Sequence, residues 1–134
     1  MTLRSTAIAR VSAGREVEQA SISWLLRHSA SEGSPLILLD KNFRCKEGEL
    51  DLVLREESRT GPNLVVVEVR GRSACGWVTG VESVTYPKRR RIERATRHYL
   101  LKRDASWAKA LRFDVLAWNG ESWLLVKDAW RAGD

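Results

Sequence analysis

One glutamate constrains this chain more than any other residue. Glu68 sits inside Val65-Val66-Val67-Glu68-Val69, a run that reads as a strand buried on both faces. A lone carboxylate in such a strand is costly unless it is paired or bound to a cation. The fold must therefore bring another group to Glu68.

Upstream, Glu49 to Arg55 alternates. Leu50, Leu52 and Leu54 face one side, and Glu49, Asp51 and Val53 face the other. Residues Glu56 to Pro62 read as a hairpin loop, which makes this strand and Leu64 to Arg70 neighbours. Same-face residues lie about 7 Å apart along a strand, and paired strands lie about 5 Å apart. Where the two faces coincide, Asp51 and Glu68 converge on one point, and Arg70 shares the Glu68 face. Hard carboxylate oxygens at such a point suit Mg²⁺ or Mn²⁺. A metal there can polarise a phosphodiester and acidify a bound water. A neighbouring cation can stabilise the charge that develops. The competing reading of the same pattern is a solvated strand face with cross-strand ion pairs. Glu18, on the first helix, is a third candidate ligand; its competing reading is a solvent-facing helix residue.

The rest of the chain reads as one domain, residues 1–134, with about 1–13 a flexible tail. Val17 to Arg27 has helical spacing. Pro35 starts a short strand over Leu36 to Leu39, and Lys41 to Gly48 is polar and ends in a turn. Gly71 to Gly80 reads as a loop or irregular edge strand. A second helix runs from about Pro87 to Lys102, with Ile92, Ala95, Tyr99 and Leu100 as its apolar stripe. Leu111 to Trp118 and Ser122 to Val126 form a hairpin around Asn119-Gly120, a mirror-image two-residue turn. The order helix, three strands, helix, two strands predicts an α/β domain with a mixed central sheet flanked by helices.

The formal net charge is +6 and the pI about 9.8, which favours an anionic partner, with nucleic acid the commonest. The basic residues cluster on the second helix: Lys88, Arg89, Arg90 and Arg91 open it, and Arg94 and Arg97 follow. Arg90, Arg94 and Arg97 share a face, a ridge suited to phosphates. Lys88, one turn before Ile92, is placed to point towards the acidic pair. A solvated charged face is the alternative. Nothing in the pattern reads base edges, so recognition of backbone or shape is expected. Cys45 and Cys75 form no CxxC pair, and His28 and His98 are not spaced to complete a zinc site, so both thiols read as reduced in a cytoplasmic protein. No segment approaches the roughly 20 apolar residues that span a bilayer, and the N-terminus lacks a signal-peptide apolar run.

These features together resemble a known family. Glu18 ahead of Ser21 and Trp24-Leu25, Asn42-Phe43-Arg44 followed by Gly48-Glu49-Leu50-Asp51-Leu52-Val53, and Val66-Val67-Glu68-Val69-Arg70-Gly71-Arg72 stand in order. Lys88 with Ala95 and Tyr99-Leu100, Arg112-Phe113-Asp114-Val115, and Asp128-Ala129-Trp130 follow. The set is similar to the YraN family of small bacterial endonuclease-like proteins, which resemble PD-(D/E)xK nucleases and, distantly, archaeal Holliday-junction resolvases. The resemblance covers roughly Gly14 to Trp130. It implies a restriction-endonuclease-like fold, with Asp51 and Glu68 as metal ligands and Glu18 as support. Arg70 stands where the nuclease motif prefers lysine, and arginine stays charged.

The leading expectation is a Mg²⁺- or Mn²⁺-dependent endonuclease acting on DNA, branched or single-stranded, with Asp51, Glu68 and Arg70 catalytic. The alternative is a non-catalytic nucleic-acid-binding module on the same fold. A third reading is an assembly protein that uses exposed Trp107 or Trp130, and a homodimer stays open.

Overall fold

A computed structural model of the chain describes residues 7–71 and 82–134, with side chains from Glu16 onward. The elements are α1 (Ala7–Ser31), β1 (Leu36–Cys45), β2 (Gly48–Ser58), β3 (Gly61–Arg70), α2 (Tyr86–Lys102), β4 (Ala110–Trp118) and β5 (Trp123–Trp130). The strands form one sheet in the order β1-β2-β3-β4-β5. β3 and β4 are parallel, with α2 as the connection between them; the other neighbouring pairs are antiparallel. This is an α/β fold, a mixed five-stranded sheet flanked by two helices, compatible with a restriction-endonuclease-like fold.

Each face of the sheet packs on one helix. Ile22 and Leu25 of α1 close over Leu36, Leu52, Leu54, Val65, Val67 and Leu116. Ile92, Ala95 and Tyr99 of α2 close over Leu50, Val53, Leu64, Val66, Phe113, Val115 and Trp130. Leu64 to Val67 alternate between the two clusters, so β3 is buried on both faces, as its valine-rich run predicts.

Several elements are longer than the pattern predicts. α1 begins before Val17 and continues through His28 to Ser31. Gly33, at φ 80°, follows its end, and the Ser34 N–H donates to Ser29 O at 3.1 Å. That left-handed exit is one glycine adopts without penalty. β1 runs through the polar stretch to Cys45, and only Lys46 and Glu47 separate it from β2. Likewise Glu56 to Ser58 and Gly61-Pro62 are strand, not loop, and only Arg59 and Thr60 turn the chain. Polarity concealed these extensions, because edge and hairpin-end residues are solvated on one side whatever their conformation.

Three further expectations are corrected. The turn after β4 spans Asn119 to Ser122, and Asn119 does not take positive φ, so it is not the mirror-image type. Instead the Asn119 side-chain oxygen accepts from the N–H groups of Glu121 and Ser122 at 2.7 and 2.8 Å. Leu100 is 41% exposed, so the α2 stripe is Ile92, Ala95, Thr96 and Tyr99. Trp130 is 5% exposed and lies in the α2-side core, while half-buried Trp107 packs against that core with the Arg55 guanidinium 4.7 Å from its ring centre. Neither offers the exposed tryptophan surface that the assembly reading requires. Arg72, Cys75 and most of the Gly71 to Gly80 segment lie outside the described residues. Cys45 is a half-buried free thiol. Among the described residues, no helix is long and apolar enough to cross a membrane.

Candidate active site: a carboxylate pair

The site lies where β2 and β3 leave regular pairing. Their register runs from Ser58–Gly61 to Leu52–Val67, so the next cross-strand step sets Asp51 beside Glu68. On the other side of β2, the pairs Lys41–Leu52 and Phe43–Leu50 bracket Asn42 and Asp51. Asn42 takes φ 55°, a left-handed conformation that asparagine tolerates better than most residues. The alternation breaks there. Leu50 packs on the α2 side while Leu52 packs on the α1 side, so the expected common face of Leu50, Leu52 and Leu54 does not form. The kink turns Asp51 to where its Oδ2 accepts the Val69 N–H at 2.8 Å. Its carboxyl stands next to that of Glu68, close enough for the two charges to oppose each other.

Glu68 is 4% exposed. Burial pushes its pKa up to about 7; the negative charge of Asp51 adds to the rise, and Lys88 and Arg70 oppose it. Burial likewise raises Asp51, while the hydrogen bond from the Val69 N–H and the charge of Lys88 oppose that rise. Two acids that resist ionisation side by side are a common arrangement in sites that bind cations or move protons. They are unlike the solvated ion pairs of an ordinary strand face.

Two cations reach Glu68 Oε1 from different elements: Lys88 Nζ at 3.3 Å from α2, and Arg70 Nη1 at 3.7 Å from β3. Arg70 also donates through Nε to Ser83 Oγ at 3.0 Å. Lys88 stands in the first turn of α2, which has no acidic residue. A cation there opposes the helix dipole by roughly 0.3–1 kcal/mol, and Glu68 is the group that offsets the cost.

Glu18 is not drawn into the pair. Its carboxylate accepts from Asn42 Nδ2 at 3.0 Å and pairs with Lys41 Nζ at 3.4 Å. It braces the kinked residue that lies across from Asp51, one step removed from the acids. Among the described residues, no three of His, Cys, Asp and Glu gather around one point. The chain thus offers two carboxylates. That number suits Mg²⁺, which binds through one or two carboxylates and completes its shell with water and substrate phosphate. The donors fit a hard divalent cation; Asp51 and Glu68 are the residues that could hold it.

The basic ridge is partly neutralised. Arg94 Nε pairs with Glu47 at 3.1 Å, and Arg90 Nη1 with Glu93 at 3.4 Å. Arg89 donates to Val84 O at 3.0 Å and lies 5.6 Å from the Trp130 ring centre. Arg91 and Arg97 are exposed. Near the opposite ends of β2 and β3, Arg112 donates to both oxygens of buried Asp114 at 2.8 and 2.9 Å and to Glu56 at 2.9 Å. Asp114 also accepts the Asp128 N–H at 2.9 Å. This network ties β2, β4 and β5 together and explains Arg112-Phe113-Asp114 as a structural motif.

Fold and site define the class: a small α/β domain carrying a carboxylate pair, Glu68 buried and Asp51 half-buried, with a lysine and an arginine at its edge. The chain belongs to the uncharacterised protein family UPF0102, whose model matches residues 17–118. It is 37% identical over 124 residues to a UPF0102 protein of Legionella pneumophila strain Philadelphia 1, covering 90% of this chain and 95% of that one. It is 39% identical over 121 residues to a UPF0102 protein of Pseudomonas syringae pv. tomato, covering 90% and 84%. A UPF0102 protein of Alkalilimnicola ehrlichii is 39% identical over 101 residues, covering 74% and 75%.

Proposed function

We propose that this chain is a metal-dependent endonuclease that hydrolyses DNA phosphodiester bonds, of branched or single-stranded DNA, at Asp51 and Glu68. The observation that carries the reading is the pair itself: a buried and a half-buried carboxylate side by side, both with raised pKa and with cations at their edge. The resemblance to the YraN family and to PD-(D/E)xK nucleases supports it.

Asp51 and Glu68 would hold Mg²⁺ or Mn²⁺, which when bound supplies a Lewis acid for the phosphate and acidifies a water. The Val69 N–H fixes one Asp51 oxygen and so sets the orientation of that carboxylate. Arg70, fastened to Ser83, offers a permanent positive charge beside the phosphate. Exposed Arg91 and Arg97, with Arg94, give α2 a phosphate-facing side for the rest of the DNA backbone.

A second reading, a non-catalytic nucleic-acid-binding module, has Arg70 in its favour, because arginine cannot give up a proton to activate water. Linear, flapped and four-way DNA incubated with Mg²⁺ or Mn²⁺ separates the two. The nuclease reading expects cleavage by the wild type and a loss of about 100-fold or more in Asp51→Asn. Cleavage that survives Asp51→Asn sinks it. Salt-sensitive binding without cutting, lost on neutralising Arg91 and Arg97, supports the module.

A further inference from the structure

Glu68 is approached by two cations that are not equivalent. Arg70 is held through its Nε by Ser83, and its closest nitrogen to Glu68 stands at 3.7 Å, beyond hydrogen-bond length. Lys88 is closer, at 3.3 Å, and its side chain is more open to solvent than that of Arg70, 35% against 22%. An ammonium carries three donors on a single atom. One of them faces Glu68, which leaves two for oxygens arriving from the solvent side. A guanidinium spreads its donors over a rigid fork and suits a planar partner instead.

Resting on the nuclease reading above, we propose that Lys88 from α2, rather than Arg70 from β3, is the catalytic lysine of this site, bridging Glu68 and a non-bridging oxygen of the scissile phosphate. In the reaction, a water oxygen bonds to phosphorus as the bond from phosphorus to one sugar oxygen breaks. The water yields a proton to solvent and the departing sugar oxygen takes one up, giving a phosphomonoester and an alcohol. Lys88 exchanges no proton in this step and stabilises the negative charge that grows on the non-bridging oxygens. The arginine at the motif's lysine position is thereby compensated from a different element. Lys88 thus belongs to the acidic pair and not to the ridge of Arg91, Arg94 and Arg97.

The test uses the full chain and three readouts: cleavage of a four-way DNA with Mn²⁺, Mn²⁺ affinity by calorimetry, and affinity for the same DNA with Ca²⁺ replacing Mn²⁺. Lys88→Ala is expected to lose cleavage by about 100-fold or more. It should bind Mn²⁺ at least as tightly as the wild type, since a competing cation is gone, and hold DNA within about threefold, since one phosphate contact contributes little to a many-contact interface. Arg70→Lys combined with Lys88→Ala should recover part of the lost cleavage, about tenfold over Lys88→Ala alone. Lys88→Gln, which keeps the stem and a donor, replaces Lys88→Ala if that variant does not fold. The proposal is overturned if the wild type cleaves and Lys88→Ala cleaves equally. It is also overturned if cleavage falls only as far as DNA or Mn²⁺ affinity falls. A wild type that neither binds Mn²⁺ nor cleaves removes the nuclease reading itself, and the Lys88 role with it, a pattern distinct from the other two.

Discussion

Glu68 is held in a strand that is apolar on every side but one, so its protonation is coupled to folding. Its pKa is about 7 in the fold against 4.5 in an unfolded chain. Between those values the folded state binds more protons than the unfolded state, so stability falls as pH rises from about 4.5 to about 7. The shift corresponds to a loss on the order of 3 kcal/mol, reduced where Asp51 shares the titration. Glu68→Gln cannot ionise. Its urea midpoint is therefore expected to decline less steeply across this window than the wild-type midpoint, the remaining slope coming from Asp51. A wild-type midpoint that rises over the same window contradicts the assignment. The cost of keeping this carboxylate was readable in Val65-Val66-Val67-Glu68-Val69, because burial followed from composition alone. Which cation would meet it was harder to read, since Lys88 comes from another element and its reach depends on how α2 seats on the sheet.

At the scale of elements, the site depends on a kink. Simple alternation places Asp51 opposite Glu68 correctly, but it also puts Leu50 and Leu52 on one face. The structure sends them to opposite cores. No periodicity argument contains that break, which falls across from Asn42, a residue in left-handed conformation on the neighbouring strand. Glu18 shows the same limit. Its helix was legible, but its partner Asn42 was not, so the sequence left it open between a third ligand and a solvent-facing residue, and the structure places it on Asn42 and Lys41. Asn42→Ala is expected to destabilise the domain by about 1–2 kcal/mol, from left-handed strain and the lost hydrogen bond. Asn42→Gly should cost less, since glycine takes this conformation freely. Chemical denaturation of the three proteins checks the order; Asn42→Ala and Asn42→Gly equal to wild type would mean the kink is not set by this residue. The strand extensions were hidden for a simpler reason: solvated hairpin ends carry the same residues as loops.

At the scale of the molecule, the two helices close both faces of the sheet. The acids stand next to the first turn of α2, and the network of Arg112, Asp114 and Glu56 fastens the strands farther along the sheet. One part of the chain is built for rigidity, and the other keeps charges that resist burial. A basic helix beside an acidic pair is a layout suited to a polyanion that must be held and then hydrolysed. The account rests on Asp51 and Glu68 binding one divalent cation together. Calorimetric titration of the protein with Mn²⁺ at pH 7.5, wild type beside Asp51→Asn and Glu68→Gln, tests this most directly. One Mn²⁺ per chain bound by the wild type, and lost or weakened at least tenfold in both variants, is the predicted result. No binding by the wild type, or equal binding by all three proteins, contradicts it.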